Sequence, residues 1–286
     1  MNIYPIETGN FKLDGGAIFG VVPKSIWQKT NPADQYNLIE LSMRSLLIED
    51  GNRLILIDTG IGNKQSANFF GYYHLFGDQT LKTSLATHGF STDDITDVFL
   101  THLHFDHCGG AVSYNKSKDR FEPTFKNAHY WSNKNHWKSA TAPNAREKAS
   151  FLKENILPIE ASGQLKFIEL SENNYIQNSE LGFDILCVDG HTEKQMIPHI
   201  KYQDKTIVFV ADLIPTVGHI PLPYITSYDT RPLESLEEKE SFLIQAEKNN
   251  FLLFMQHDIQ HEICTLKQTE KGIRLKQTNK LKELFK

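Results

Sequence analysis

Four side chains that commonly bind metal ions fall within six residues of one another: His102, His104, Asp106 and His107. In an extended segment, residues two apart share a face, so His102 and His104 can bind one cation together. If the chain then turns into a helix near Gly109, Asp106 and His107 can face a second cation. Imidazole suits zinc, and a carboxylate can ligate it as well. The spacing therefore predicts a site for transition-metal ions.

Three later residues are further candidate ligands, because each follows a run that predicts a buried strand. They are His191, Asp212 and His257. Ligands of α/β proteins collect at the loops that leave one edge of a sheet. A single histidine after a strand is more often an ordinary surface residue. Three such positions downstream of the first cluster, in this order, favour a role in ligation.

The elements that must position these residues are strands alternating with helices. Such alternation indicates an α/β fold. Residues 38–48 and 54–57 flank a turn and predict a β-hairpin. Asp78 and Pro232 predict the starts of two helices, the first running to His88 with Gly89 as its stop. Further strands are predicted over residues 98–100, 166–170, 183–188, 206–210 and 251–255.

The composition indicates a globular chain. Its 286 residues are 40% hydrophobic and 23% charged, values that exclude a disordered or fibrous protein. This length is compatible with one large α/β domain. The net charge of −5 argues against dependence on contacts with nucleic-acid phosphates, so we expect no nucleic-acid partner.

The sequence shows no targeting or membrane segment. The segment 1–6 lacks the basic and apolar regions of a signal peptide, and no apolar run approaches the ~20 residues that span a bilayer. Three cysteines, Cys108, Cys187 and Cys264, fit neither a disulfide framework nor a paired-cysteine zinc site. We therefore expect a cytoplasmic protein with no membrane partner.

The order HxHxDH … GH … D … H, from about Leu46 to Asp258, resembles the metallo-β-lactamase superfamily. The resemblance implies one domain over residues 1–286, an αββα four-layer sandwich with the metal site at one edge of its two sheets. It also implies a role for Asp58, in the matching motif 56–60, beside a ligand histidine, since such histidines usually donate their second N–H to a carboxylate. The implied ligands are His102, His104 and His191 for one metal, Asp106, His107 and His257 for the other, and Asp212 for both.

Within that superfamily, Asp212 and the intact HxHxDH motif resemble the dinuclear hydrolases. Segments 14–24 and 211–216 are similar to the N-acyl homoserine lactonase and methyl parathion hydrolase group. This resemblance implies two Zn²⁺ ions per chain, a metal-bridging hydroxide that attacks an ester carbonyl, and catalytic roles for Asp106 and Asp212. The implied substrate is a small ester. The leading hypothesis is a quorum-quenching lactonase, for which that ester is a lactone.

Other activities remain open from the sequence. The same two metals can clamp a phosphoryl group, so phosphotriester or phosphodiester hydrolysis is the main alternative. An iron-dependent redox member of the superfamily and a non-catalytic binding protein are weaker alternatives. The expected partner is a small-molecule ester or lactone. We also expect the chain to form a homodimer.

The sequence also departs from the family pattern. The Pro-Gly that usually follows the fifth ligand and Thr is replaced by Glu193 and Lys194, and Pro215 occupies the place of a substrate-binding tyrosine. Tyr224, Tyr228 and His219 are therefore candidate substrate contacts. Cys108, beside a ligand, is expected to be a small buried residue rather than a nucleophile. The aromatic stretch 69–76 fits a substrate-pocket wall, a dimer face or a packed cluster.

Overall fold

The computed structural model describes residues 1–285. Its strands are β1 Asn2–Asp14, β2 Leu38–Asp50, β3 Arg53–Ile57, β4 Asp97–Phe99, β5 Val112–Tyr114, β6 Phe121–Pro123, β7 His129–Ser132, β8 Leu165–Phe167, β9 Tyr175–Ile176, β10 Asp184–Val188, β11 Gln195–Tyr202, β12 Lys205–Phe209, β13 Leu252–Phe254, β14 Ile263–Thr269 and β15 Gly272–Asn279. Its α-helices are α1 Gly15–Phe19, α2 Lys24–Trp27, α3 Ala67–Tyr73, α4 Leu81–Thr87, α5 Phe105–Cys108, α6 Lys134–Thr141, α7 Lys153–Ala161, α8 Pro232–Lys248 and α9 Leu281–Leu284. Short 3₁₀ segments cover Gly109–Ala111, Ala211–Leu213 and Val217–His219. The α/β class predicted from the sequence is confirmed.

The chain divides into two compact units, each built from separate segments. The first unit contains residues 1–9, 43–173 and 179–181. The second contains residues 10–42, 174–178 and those from 182 onward. The expectation of a single domain over residues 1–286 stays a prediction.

The sheet of the first unit has the strand order β1-β2-β3-β4-β7-β8. Strands β2 and β3 pair antiparallel, with Leu46 opposite Ile57, which confirms the predicted hairpin. Strands β3, β4, β7 and β8 are parallel, so their carboxyl ends lie at the same edge. Helices α4, α6 and α7 contribute Leu85, Trp137 and Ile159 to the apolar core of this unit. This core fixes the edge from which the HxHxDH loop leaves β4.

Two local predictions in the first unit were wrong. Helix α4 begins at Leu81, and its N-cap is Thr80 rather than Asp78. The Thr80 hydroxyl accepts a hydrogen bond from the amide of Thr83, whose own hydroxyl accepts one from the Thr80 amide, so two free amides at the helix start are satisfied. The predicted strand 166–170 is the shorter Leu165–Phe167.

The sheet of the second unit has the order β15-β14-β13-β12-β11-β10-β9. Strands β12 and β13 are parallel and the remaining neighbours are antiparallel. The predicted strands 183–188, 206–210 and 251–255 are confirmed to within one residue at each end. The predicted helix start at Pro232 is also confirmed, because proline occupies the first turn of α8, where its missing N–H costs nothing.

Two further observations concern membrane segments and cysteines. Among residues 1–285, no helix is long and apolar enough to cross a membrane. Cys108, Cys187 and Cys264 are free thiols, and all three are buried. The expectation that Cys108 is a small buried residue is confirmed, since its Sγ donates to the carbonyl oxygen of Leu103.

Candidate metal-binding residues in the two units

The HxHxDH loop of the first unit changes from extended to helical at His104. This residue is the N-cap of α5, so the helix begins four residues before Gly109, where the sequence analysis placed the turn. Nε2 of His102 lies 3.0 Å from Nδ1 of His104, and both rings are buried. Two imidazole nitrogens this close suit a cation held by both.

Asp58 orients His107. Its Oδ2 lies 2.8 Å from Nδ1 of His107, and the same carboxylate accepts hydrogen bonds from the amide and the hydroxyl of Thr101. A proton on Nδ1 leaves Nε2 of His107 as the metal donor, 3.7 Å from Oδ2 of Asp106. The role beside a ligand histidine that the resemblance implied for Asp58 stays a prediction.

The paired glycines after HxHxDH let two backbone segments touch. A methyl group on Gly109 would overlap the carbonyl oxygen of Ile61, and one on Gly110 would overlap that of Thr59. The amide and hydroxyl of Thr59 both donate to the carbonyl oxygen of His107, at 2.7 and 2.9 Å. The loop after β3 therefore supports the candidate metal loop directly, and only glycine fits between them.

Two supporting residues of the first unit were missed by the sequence reasoning. His136 is buried and accepts a hydrogen bond from the Leu103 amide at 2.8 Å. Glu147 is also buried, and its carboxylate lies 3.8 Å from Nε2 of His104. No sequence spacing distinguishes these residues from other polar residues of their segments.

In the second unit, Asp212 lies between two candidate ligands. One carboxylate oxygen is 2.9 Å from Nε2 of His191, and the other is 2.9 Å from Nε2 of His257. Nδ1 of His191 lies 2.9 Å from Asp229, and Nδ1 of His257 lies 2.8 Å from the carbonyl oxygen of Ser42. Because an acceptor holds each Nδ1, each Nε2 can donate to a metal beside Asp212. The donor set of this unit fits a divalent transition metal.

The charge around His191 is strongly negative. Burial disfavours its protonated form, but the ion pairs with Asp212 and Asp229 outweigh burial and raise the pKa of His191 to about 10. A divalent cation held by Nε2 and Asp212 would take the place of the Nε2 proton, while Nδ1 would still donate to Asp229. The electrostatics of the second unit thus favour a positive charge beside His191.

Helix α8 holds the loop that carries His191. The carboxylate of Glu238 accepts hydrogen bonds from the amides of Asp189 and Gly190, at 2.6 and 3.0 Å. Arg231 donates to the carbonyl oxygen of Asp189, and a methyl group on Gly190 would overlap Ser235 of the helix. These contacts shape the turn even though the usual Pro-Gly is absent.

The expected substrate contact by His219 does not fit the structure. Its ring is fully buried and stacks on Phe19 with centroids 4.2 Å apart. Its Nδ1 bonds the Thr216 hydroxyl and its Nε2 bonds the carbonyl oxygen of Ile18. Burial lowers the pKa of His219 to about 3, so this neutral ring is part of the packing.

Tyr224 and Tyr228 remain predicted substrate contacts. Tyr228 is 43% exposed and directly precedes Asp229, the partner of His191. The backbone carbonyl of Tyr224 accepts a hydrogen bond from Lys239 of α8 at 2.8 Å. The second unit thus fixes the backbone beside Tyr224 and Tyr228.

The aromatic stretch forms helix α3 and the turn after it. Phe69 and Tyr73 contact the ring of Phe105, with centroid distances of 5.5 and 4.5 Å. Tyr72 is 68% exposed. One side of the helix therefore packs against the first residue of α5, while the other side is open, which is compatible with all three sequence interpretations.

Comparisons with known proteins agree with these observations. The family model of the metallo-β-lactamase superfamily matches residues 44–257. A search of curated proteins finds no significant match. The crystal structure of a probable metal-dependent hydrolase from Staphylococcus aureus is 27% identical, covers 98% of each chain and has a TM-score of 0.84.

Two more distant structures share the fold. One is AidC, described as a dizinc quorum-quenching lactonase, in complex with a product; it is 22% identical, with 98% of this chain and 95% of that chain covered and a TM-score of 0.75. The other is the hydrolase AbOPH of the beta lactamase superfamily; it is 21% identical, with 97% and 94% covered and a TM-score of 0.76.

Proposed function

The chain belongs to the metallo-β-lactamase superfamily and is a metal-dependent hydrolase, and from that premise we propose that it binds two zinc ions and hydrolyses a small ester, with a lactone as the preferred substrate. The lactone class is supported by the intact HxHxDH motif with Asp212, and by the fold shared with a dizinc lactonase. The proposal includes the cytoplasmic location, the homodimer and the absence of a nucleic-acid partner expected from the sequence.

The proposed ligands follow the family's order along the chain. The first unit supplies four of them, and the second supplies three. The family resemblance assigns these ligands to two metals, with Asp212 shared by both, and the geometry within each unit supports the donor atoms. The proposed ligands are His102, His104, Asp106, His107, His191, Asp212 and His257.

The observation that carries this proposal is the position of Asp212 between His191 and His257. A carboxylate whose two oxygens face two imidazole Nε2 atoms is well placed to bridge two cations. Bound zinc supplies an activated water and polarises a carbonyl oxygen. Asp212 then orients the nucleophile, accepts its proton on a carboxylate oxygen and delivers that proton to the leaving alkoxide. Asp229 and the Ser42 carbonyl keep the two histidines in the required orientation.

Asp212→Asn tests the proposal. The amide keeps the shape but removes the charge, so metal should bind less tightly and the proton transfer should fail. Losing one electrostatic contributor typically costs ~10²–10³ in rate, and metal loss adds to that. Zinc content and kcat are measured in one preparation on a lactone, a thioester and a phosphotriester. Asp204→Asn, at an exposed position of the same unit, is the matched control.

The substrate panel separates the alternatives. We expect the lactone to be turned over best, and to lose the most on Asp212→Asn because its poor leaving group needs the proton. Preferred turnover of the phosphotriester would replace the lactonase assignment by the phosphoryl alternative. Full zinc content with near-normal lactone turnover in the variant would overturn the bridging and proton-transfer roles of Asp212.

A further inference from the structure

The first unit contains a polar cavity that none of the candidate metal ligands lines. Its volume is about 720 Å³. The loop after β3, the start of α4 and the β5–β6 hairpin form its walls, and Thr59 and Gly110 form part of its floor. One wall of the cavity is therefore the loop after β3, which contacts the HxHxDH loop through Thr59.

The charged side chains among the described lining residues of this cavity are all positive. Lys64, Lys82 and Lys118 face it, and no aspartate or glutamate is among its described lining residues. Hydroxyl and amide groups of residues such as Ser113 and Asn63 fill much of the remaining wall. Ammonium, hydroxyl and amide groups together are the donors that bind oxyanions.

Lys64 is the unusual member of this set, because its side chain is almost completely buried. It is 5% exposed, and its ammonium donates to the carbonyl oxygen of Gly109. An ammonium has three donors, and the Gly109 carbonyl takes one of them, while Glu154 interacts with the charge only electrostatically. An anion in the cavity would accept hydrogen bonds from the other donors.

Thr124 gives an independent indication of a ligand. Its hydroxyl oxygen is buried at the wall of the cavity and has no hydrogen-bond partner within residues 1–285. A buried hydroxyl without a partner is costly, and native proteins usually satisfy it. An oxygen atom of a bound ligand would satisfy the hydroxyl of Thr124.

We propose that this cavity binds a small phosphate ester, with the phosphate held by the lysines and the remaining hydroxyl groups of the ligand held by Thr124 and the other polar side chains. The volume exceeds the needs of inorganic phosphate alone, which favours an organic phosphate. The ligand would sit against Gly110 and Thr59, and Thr59 donates to the carbonyl oxygen of His107. This site is separate from the proposed ester-hydrolysing site and does not depend on it.

Isothermal titration of the zinc-loaded protein with glycerol 3-phosphate tests this site, with inorganic phosphate and citrate as comparison anions. We expect glycerol 3-phosphate to bind more tightly than either anion. The double variant Lys82→Ala, Lys118→Ala should raise its Kd at least about tenfold, since charge-assisted hydrogen bonds are lost. Lys166→Ala, at an exposed position of the same unit, is the control and should leave the Kd unchanged.

Thr124→Val separates binding from folding. It should raise the Kd without lowering the unfolding temperature, because the hydroxyl that it removes has no hydrogen-bond partner among residues 1–285. An unchanged Kd for glycerol 3-phosphate in the lysine double variant would mean that the phosphate binds the metals, or is an adventitious ion only. Either result would overturn the proposal. Equal affinity for citrate would overturn the phosphate assignment, and the absence of binding would overturn the site.

Discussion

The carboxylate of Asp58 and the imidazole of His107 form a buried hydrogen-bonded pair, 2.8 Å apart and with both side chains fully shielded from solvent. The backbone of Asp58 has a positive φ of 58°, and its carboxylate also accepts two hydrogen bonds from Thr101. The pair therefore sets which nitrogen of His107 is protonated before any metal binds.

Replacing this carboxylate should weaken metal binding without unfolding the protein. Asp58→Asn keeps the shape but loses the charge that supports His107, so we expect zinc affinity to fall about 10- to 100-fold. Competition with a chromogenic chelator measures the affinity. Asp93→Asn, an exposed position of the same unit, is the control. An unchanged affinity in Asp58→Asn would show that the pair does not orient a ligand.

The close contact at the paired glycines predicts opposite effects for two glycine-to-alanine changes. Gly109→Ala places a methyl group against the carbonyl of Ile61, and overpacking of this kind costs about 1–3 kcal/mol or more. Gly71→Ala lies in α3 with open space around it and should stabilise the protein by about 0.5–1 kcal/mol. Denaturant unfolding measures both, and equal stability of the two variants would contradict the contact.

Cys108 should be dispensable for hydrolysis. Burial raises the pKa of its thiol to about 12, so the nucleophilic thiolate is scarce at neutral pH. Cys108→Ala should keep most of kcat/KM, whereas His104→Ala and His257→Ala should lose several orders of magnitude together with bound zinc. Activity and zinc content are measured on all three variants. Comparable damage from Cys108→Ala would point to a thiol mechanism.

Lys239 should make stability depend on pH. The residue is 1% exposed, and its ammonium donates to the carbonyl oxygens of Pro221, Leu222 and Tyr224. Burial lowers its pKa from 10.5 to about 7, although Asp229 opposes the shift. The folded state therefore binds fewer protons than the unfolded state between these values, and this lysine adds stability as pH rises through that window.

The variant Lys239→Met should remove this contribution. We expect the free energy of unfolding to rise less between about pH 7 and about pH 9.5 in the variant than in the unchanged protein. Lys248→Met, at the exposed end of the same helix, should keep the original pH dependence. A slope that survives Lys239→Met would assign the effect to other groups.

Several features were determined by the sequence alone because they depend on neighbouring residues. The turn at residues 50–52 specifies the β2–β3 hairpin, and Pro232 specifies the start of α8. The HxHxDH motif brings its own side chains together because the chain changes from extended to helical within it. Such features follow from local backbone preferences, so the sequence could predict them before any tertiary contact was known.

The partners of the candidate ligands were decided only by the tertiary structure. Asp229 is 38 residues from His191, and the Ser42 carbonyl is 215 residues from His257. Glu238 resembles an ordinary surface residue in the sequence and His219 was a predicted substrate contact, yet Glu238 supports the His191 loop and His219 is buried against Phe19. The physical reason is that sheet order and helix packing bring these groups together, and no local pattern records which distant residue will complete a hydrogen bond.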